Sequence, residues 1–140
     1  MIDILFISPS NSQEVYQDLS ASYAAIEPPT WALLLAQAAR AKGYSAAILD
    51  TCAENLSVEE SFLRIEQLNP KIICFVVYGQ NVNAGVVSMS GAVRLSKYLK
   101  TKTKTPISYV GSYVQALPLK ALEEEPSIDF VFTNEGDKAL

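Results

Sequence analysis

Histidine is absent from the 140 residues, and that absence removes more chemistry than any residue present adds. A Ser-His-Asp or Cys-His nucleophile system needs an imidazole to take the proton. Imidazole is also the commonest metal ligand. The two cysteines, Cys52 and Cys74, are too few for a zinc site by themselves. Cys74 stands inside a continuous apolar run, where a thiol behaves as a small buried hydrophobe. No residue is therefore assigned as catalytic and none as a metal ligand. What remains is binding chemistry, carried by short clusters of hydroxyls, amides and rings: Ser8-Pro9-Ser10-Asn11, Tyr78-Gly79-Gln80, Gly111-Ser112-Tyr113 and Glu135-Gly136.

Several ligand chemistries can be tested against these clusters. A dinucleotide site needs glycines directly after the first strand, so that backbone amides approach the pyrophosphate; no glycine precedes Gly43. Asp50 stands where a ribose-binding acid would be, but without the glycines it reads more simply as a solvated strand end. The P-loop spacing G-x-x-x-x-G-K-[ST] is absent. A phosphoacceptor receiver needs acids where this chain has Ser8 and Tyr78. Ser8, Ser10, Asn11 and Ser12 could cradle a flavin phosphate, although such clusters are commonly turns.

These clusters are placed by the elements between them. Ile2 to Ile7 is an apolar strand broken only by Asp3 and ended by the turn residues Ser8 to Asn11. From Thr30 to Lys42 the period changes to that of a helix, with Trp31, Leu34, Leu35 and Ala38 at i, i+3, i+4 and i+7. Pro29 suits its first turn and Gly43 its left-handed stop. Tyr44 to Asp50 reads as a second strand. Leu56 to Leu68 reads as a helix capped by Ser57 with Glu60 three residues on, and Pro70 follows its end. Lys71 to Tyr78 contains IICFVV, apolar without alternation, the pattern of a central strand in a parallel sheet. Gly85 to Lys100 is a third helix, with Met89, Ala92, Val93, Ser96 and Leu99 on its inner side. Small residues, Gly85, Ser88, Gly91 and Ala92, run along it, as close approach by another backbone or a flat ligand would need and as ordinary helix-sheet packing explains equally well. Ile107 to Val110, Leu117 to Glu124 and Ile128 to Phe132 complete the series as strand, short helix and strand.

Strands alternating with helices give a doubly wound α/β domain of the Rossmann-like, flavodoxin-like kind: three layers around a central parallel sheet of five strands. In such sheets ligands bind beyond the carboxyl ends of the strands. Four segments reach that edge: Ser8 to Pro28, Thr51 to Asn55, Tyr78 to Ala84, and Gly111 to Leu117. The first is far longer than the roughly 2 to 6 residues usual for such connections. It carries Tyr16, Leu19, Tyr23 and Ile26, so it is expected to pack over the sheet edge.

The net charge of -4 argues against nucleic acid as partner, because phosphate binding wants a clustered basic surface. Lys97, Lys100, Lys102 and Lys104 sit at a helix end, where they complement the dipole and solvate the surface. No apolar run approaches the roughly 20 residues of a membrane span, and Met1 to Ile7 is too short for a signal peptide. The expected location is the cytoplasm, without a membrane partner.

Taken in order, the chain resembles the N-terminal cobalamin-binding domain of radical S-adenosylmethionine enzymes, of the class B methyltransferase and anaerobic magnesium-protoporphyrin cyclase type. The resemblance rests on Pro28-Pro29-Thr30-Trp31 at a helix start, Ala47-Ile48-Leu49-Asp50, Asn69-Pro70 leading into Lys71 to Tyr78, and Lys100 to Pro106. It continues through Tyr109-Val110-Gly111-Ser112 with Pro118, and through Asp129-Phe130-Val131-Phe132-Thr133-Asn134-Glu135-Gly136-Asp137. It implies cobalamin held base-off and without a histidine ligand, the family's usual mode, with which the missing D-x-H-x-x-G signature agrees. It implies contacts to the nucleotide tail from Tyr78, Gly79, Gln80, Gly111 and Ser112, and to the lower corrin face from Ser8 to Asn11. Two positions depart from the family: the double glycine is Gly111-Ser112, and Tyr78 stands where a serine lines the tail slot. The resemblance further implies that residues 1–140 precede a radical S-adenosylmethionine domain of the same polypeptide. That domain would bring a 4Fe-4S cluster, S-adenosylmethionine and a small-molecule or peptide substrate. Two alternatives stay open: a cofactor-free scaffold for substrate or subunit contacts, and a flavin- or nucleotide-binding module.

Overall fold

The computed structural model describes residues 1–9, 28–78 and 82–134, the side chains of 82–88 excepted. Five parallel strands form one sheet: β1 (Ile2–Ser8), β2 (Ala46–Asp50), β3 (Pro70–Val76), β4 (Ile107–Val110) and β5 (Phe130–Phe132). Their spatial order is β2-β1-β3-β4-β5. The helices are α1 (Thr30–Ala41), α2 (Val58–Leu68), α3 (Val82–Lys100), α4 (Ser112–Ala116) and α5 (Pro118–Glu124). Register is tight at the centre, where Phe6 pairs with Ile48 on one side and Cys74 on the other.

Period-2 alternation divides the strand side chains between two cores. Leu5, Ile7, Ile73, Phe75, Val77 and Tyr109 face one way and pack with Ile65 of α2, Leu95 and Leu99 of α3, and Ala121 of α5. Ile4, Phe6, Cys74, Val76 and Val110 face the other way, onto Ala32, Leu35, Ala36 and Ala39 of α1. Both faces of the sheet are thus covered, which is why β3 reads as a run without alternation. The three-layer arrangement expected from the sequence is the one observed.

The inward stripe of α1 differs from the expected one. It is Ala32, Leu35, Ala36 and Ala39, while Trp31 and Leu34 are exposed and Ala38 is half-buried. Both stripes have helical spacing and share Leu35; they differ by one residue, a rotation of about 100°. Three alanines let the helix axis lie close to the sheet, which a tryptophan and a leucine would prevent.

Ends are fixed by local chemistry. In α2 the Ser57 hydroxyl accepts from the Glu60 amide while the Glu60 carboxylate accepts from the Ser57 amide, a complete capping box. Asn69 closes that helix in the left-handed region. Gly43, with φ 90, does the same after α1. Arg40 Nη2 donates to the Ala46 carbonyl at 2.6 Å and ties α1 to β2.

At the amino edge the one acid within β1 finds its reason. Asp3 accepts from the Ser45 amide at 2.9 Å and from its hydroxyl at 2.8 Å, and pairs with Lys71 Nζ at 2.6 Å. Asp129 similarly accepts from the Ile107 amide at 2.7 Å and pairs with Lys100. Among the described residues, no helix is long and apolar enough to cross a membrane.

Candidate functional site at the carboxyl edge

The order in which strands are added reverses at β1, which has β2 on one side and β3 on the other. The crevice beyond the carboxyl ends at that reversal is where open α/β sheets hold ligands. Its described walls come from β1, β3, β4, α1 and α4.

Trp31, in the first turn of α1, lies face to face with Tyr78, two residues past β3. Their ring centroids are 4.4 Å apart and their planes 25° from parallel. The Tyr78 hydroxyl accepts a hydrogen bond from Gln115 Nε2 of α4 at 2.8 Å. Helix, strand end and second helix are therefore joined across one face of the crevice. Trp31 keeps 40% of its surface exposed, and Tyr78 is half-buried.

Beside them the β3–β4 ladder runs on past the strand end, with the Val77 amide donating to the Val110 carbonyl at 2.8 Å. Gly111 follows immediately. A Cβ there would stand 2.4 Å from the Val77 carbonyl oxygen and 2.6 Å from Val77 Cγ2. Glycine is thus demanded by the approach of the neighbouring strand, whatever ligand lies above. Ser112 opens α4 and is half-buried. Across the crevice the Ser8 carbonyl accepts from both the amide and the hydroxyl of Thr51, each at 3.1 Å. Pro9 is buried beside it.

The structure thus gathers Tyr78, Gly111 and Ser112 at the ends of β3 and β4, with Ser8 and Pro9 at the end of β1. Tyr113 is turned to the opposite face. It packs against the core beneath α3 and α5, and its hydroxyl donates to Glu124 Oε2 at 3.4 Å. There it borders a cleft of about 740 Å³ with Val93, Arg94, Lys97 and Glu125. Ser10, Asn11, Gly79, Gln80, Glu135 and Gly136 lie outside the described residues, as do Tyr16, Leu19, Tyr23 and Ile26. Of the small residues in α3, Gly91 and Ala92 are buried; the side chains at 85 and 88 are not described.

Asp50 serves a turn. Its Oδ1 accepts from the amides of Cys52 and Ala53 at 3.2 and 3.0 Å. Burial pushes the Cys74 thiol up to about 12, Ser108 opposing only in part. The Tyr109 hydroxyl is also raised by burial, against its bond to Ser96, with the Glu125 charge adding to the rise. Neither group titrates near neutrality. Among the described residues, no cluster of three or more cysteines and acids is placed to hold a metal ion. Sequence reasoning did not join Trp31 and Gln115 to Tyr78. Gln115 belongs to a segment the topology marks, but no spacing rule links three residues on three elements.

An open parallel sheet in this order, with an aromatic-walled crevice at its reversal point, defines a flavodoxin-like ligand-binding domain. The sequence profile of the B12 binding domain family matches residues 16–140, and the chain belongs to that family. No curated protein matches the sequence. Two solved structures similar to this chain are of the radical S-adenosylmethionine methyltransferase TsrM from Kitasatospora setae. One, with cobalamin and a 4Fe-4S cluster bound, is 12% identical with a TM-score of 0.63, over 88% of this chain and 20% of that one. The other, with tryptophan substrate and the analogue aza-SAM bound, is 16% identical with a TM-score of 0.59, over 90% and 22%. At these identities the likeness is one of fold, and the chain spans about a fifth of the length of either structure.

A corrinoid is a broad, flat macrocycle with one slender arm ending in an aromatic base. The described walls suit it in kind, being uncharged, aromatic on the α1 side and backed by Gly111 on the other; ligand sites are commonly apolar with few polar anchors. Among the described residues, Tyr78 reaches into the crevice between α1 and α4.

Proposed function

We propose that this chain holds cobalamin at the carboxyl edge of its sheet, base-off and without a histidine ligand, as part of a radical S-adenosylmethionine enzyme. The observation that carries this reading is the family match over residues 16–140, which runs through every described wall of the crevice beyond β1. The cobalt of a bound corrinoid supplies a methyl-carrying centre. The chain's own residues bind and orient. Trp31 and Tyr78 offer ring faces from α1 and β3, Gly111 keeps the β3–β4 edge close, and Ser8, Pro9 and Ser112 border the opening. Ser10, Asn11, Gly79, Gln80, Glu135 and Gly136 are proposed as further contacts to the cofactor.

With no histidine in the sequence, no imidazole of this chain can take the lower cobalt position, which supports the reading without a histidine ligand. In this reading the 4Fe-4S cluster, S-adenosylmethionine and the small-molecule or peptide substrate belong to a domain following residue 140, in the cytoplasm. The domain by itself catalyses nothing.

Incubation of the purified chain with hydroxocobalamin, then gel filtration, tests this. Retained colour with a base-off absorption spectrum is expected. Complete loss of colour from a folded sample would sink the reading. One observation favours a second reading, a scaffold without cofactor that offers the same edge to a substrate or subunit: the Tyr78 ring is already stacked on Trp31 and hydrogen-bonded to Gln115. It predicts that no corrinoid is retained.

A further inference from the structure

We infer that Tyr78 selects among corrinoids: its ring, stacked on Trp31 and latched by Gln115, occupies the place of the aromatic base at the end of a corrinoid's arm. The inference rests on the corrinoid-binding reading and asks which corrinoid.

The argument starts from shape. A macrocycle lies across a sheet edge, and only the arm is narrow enough to descend between α1 and the sheet. On that face, below the stack, lie Phe6, Cys74, Val76 and Val110, all buried. Of the described side chains, Tyr78 packs directly against that cluster and stands in the way of a group descending onto it. That ring is held on two sides. Its face lies 4.4 Å from Trp31, and its hydroxyl is fixed at 2.8 Å by Gln115. Both anchors belong to other elements, so the ring is not a loose side chain swept aside at no cost.

An incoming base must replace Tyr78 against Trp31 and break the Gln115 bond. Stacking and one part-buried hydrogen bond are each modest interactions, and together they lower the affinity for an arm-bearing corrinoid by about tenfold. A corrinoid without the nucleotide arm escapes that penalty. Tyr78 therefore tilts the crevice toward compact corrinoids and makes arm insertion conditional on its own displacement.

Trp31 is the single tryptophan of the chain, so its fluorescence reports on this crevice in a binding titration. Cobinamide, which lacks the nucleotide arm, and hydroxocobalamin are compared on the full chain and on Tyr78→Ser. The wild-type chain is expected to bind cobinamide about tenfold more tightly than hydroxocobalamin, the stack and latch being lost only to the latter. Tyr78→Ser should abolish or reverse that preference, read as the ratio of the two dissociation constants. Gln115→Ala, which unlatches the ring without removing it, should move the ratio the same way by about threefold, and it serves if Tyr78→Ser does not fold.

An equal ratio in wild type and variants, or a wild-type preference for hydroxocobalamin, overturns the role of Tyr78 and leaves corrinoid binding standing. Failure of wild type and both variants to bind either corrinoid, with native circular dichroism, overturns both.

Discussion

Among the described residues Tyr109 is the largest fully buried side chain, and its hydroxyl is accommodated by a small network. Ser96 Oγ lies 2.8 Å from both the Tyr109 hydroxyl and Ser127 Oγ, and donates to the Val93 carbonyl at 3.1 Å. Tyr109→Phe keeps the ring but strips one partner from Ser96. It should cost about 1–2 kcal/mol in urea unfolding, the usual range for a buried hydroxyl left with fewer bonds. Gly111 is more severe, because the atom in the way is a backbone carbonyl that cannot rotate aside. Gly111→Ala should lower stability by about 1–3 kcal/mol, as overpacking does. Because Val77 must give way, it should also disturb the Trp31 fluorescence that reads the Tyr78 stack. Cys74 supplies a third check. With a thiol pushed up to about 12 and no exposed surface, it should resist maleimide at neutral pH until the chain is unfolded in denaturant, with labelling followed by mass spectrometry.

Among elements, α2 shows what sequence can specify by itself. Ser57, Glu60, Asn69 and Pro70 are local signals, each acting within one turn of a helix end, and all are in place. Ser57→Ala removes the hydroxyl that accepts from the Glu60 amide and should cost about 1 kcal/mol, measured by thermal unfolding. The Ser57 amide, which holds the Glu60 carboxyl below its usual range, should largely keep that effect in the variant. The alternation of strands with helices and the two-sided burial of β3 were legible for a related reason, since hydrophobic period survives in any context. The inner face of α1 was not. Alanine and leucine stripes one residue apart are equally periodic, and the choice is made by the distance to the sheet, a tertiary quantity. α4 escaped notice because five residues are too few to show a period. At the site, sequence placed Tyr78, Gly111 and Ser112 on the right edge because topology alone fixes that edge. It did not separate Tyr113 from them, because the turn of α4 sends neighbouring side chains to opposite faces. Nor did it find the stack on Trp31, a contact between elements whose meeting only the fold creates.

At the scale of the whole molecule the two edges of the sheet are chemically different. The amino edge is fastened by charge: Asp3 to Lys71 and Ser45, Asp129 to Lys100 and Ile107. At the carboxyl edge the described side chains at the ends of β1, β3 and β4 and on the facing helices, Trp31, Tyr78, Gln115, Ser8 and Ser112, are uncharged. Its described charges, Asp50 and the Glu54–Arg64 pair, lie at the turn after β2. The division makes stability and binding separable. The Lys71 ammonium, with the Ser45 bonds, holds the Asp3 carboxyl well below its usual range. Burial opposes, but the Lys100 ammonium and the Ile107 amide hold Asp129 low as well. A carboxyl whose folded-state value lies below its unfolded value, about 4 for aspartate, adds stability above the unfolded value. That contribution is lost as pH falls through the folded value. Asp3→Asn and Asp129→Asn should therefore be less stable than wild type at pH 7. Their deficits should shrink as pH drops below about 4, since wild type then loses the same ionised partner. Urea midpoints taken between neutral and strongly acidic pH measure this. Because Asp3 sits at the end of β1 away from Ser8, Asp3→Asn should leave the corrinoid dissociation constants at pH 7 unchanged while the acid limb of the stability curve flattens. A variant that shifted both together would mean that the edges are coupled through the sheet rather than divided by it.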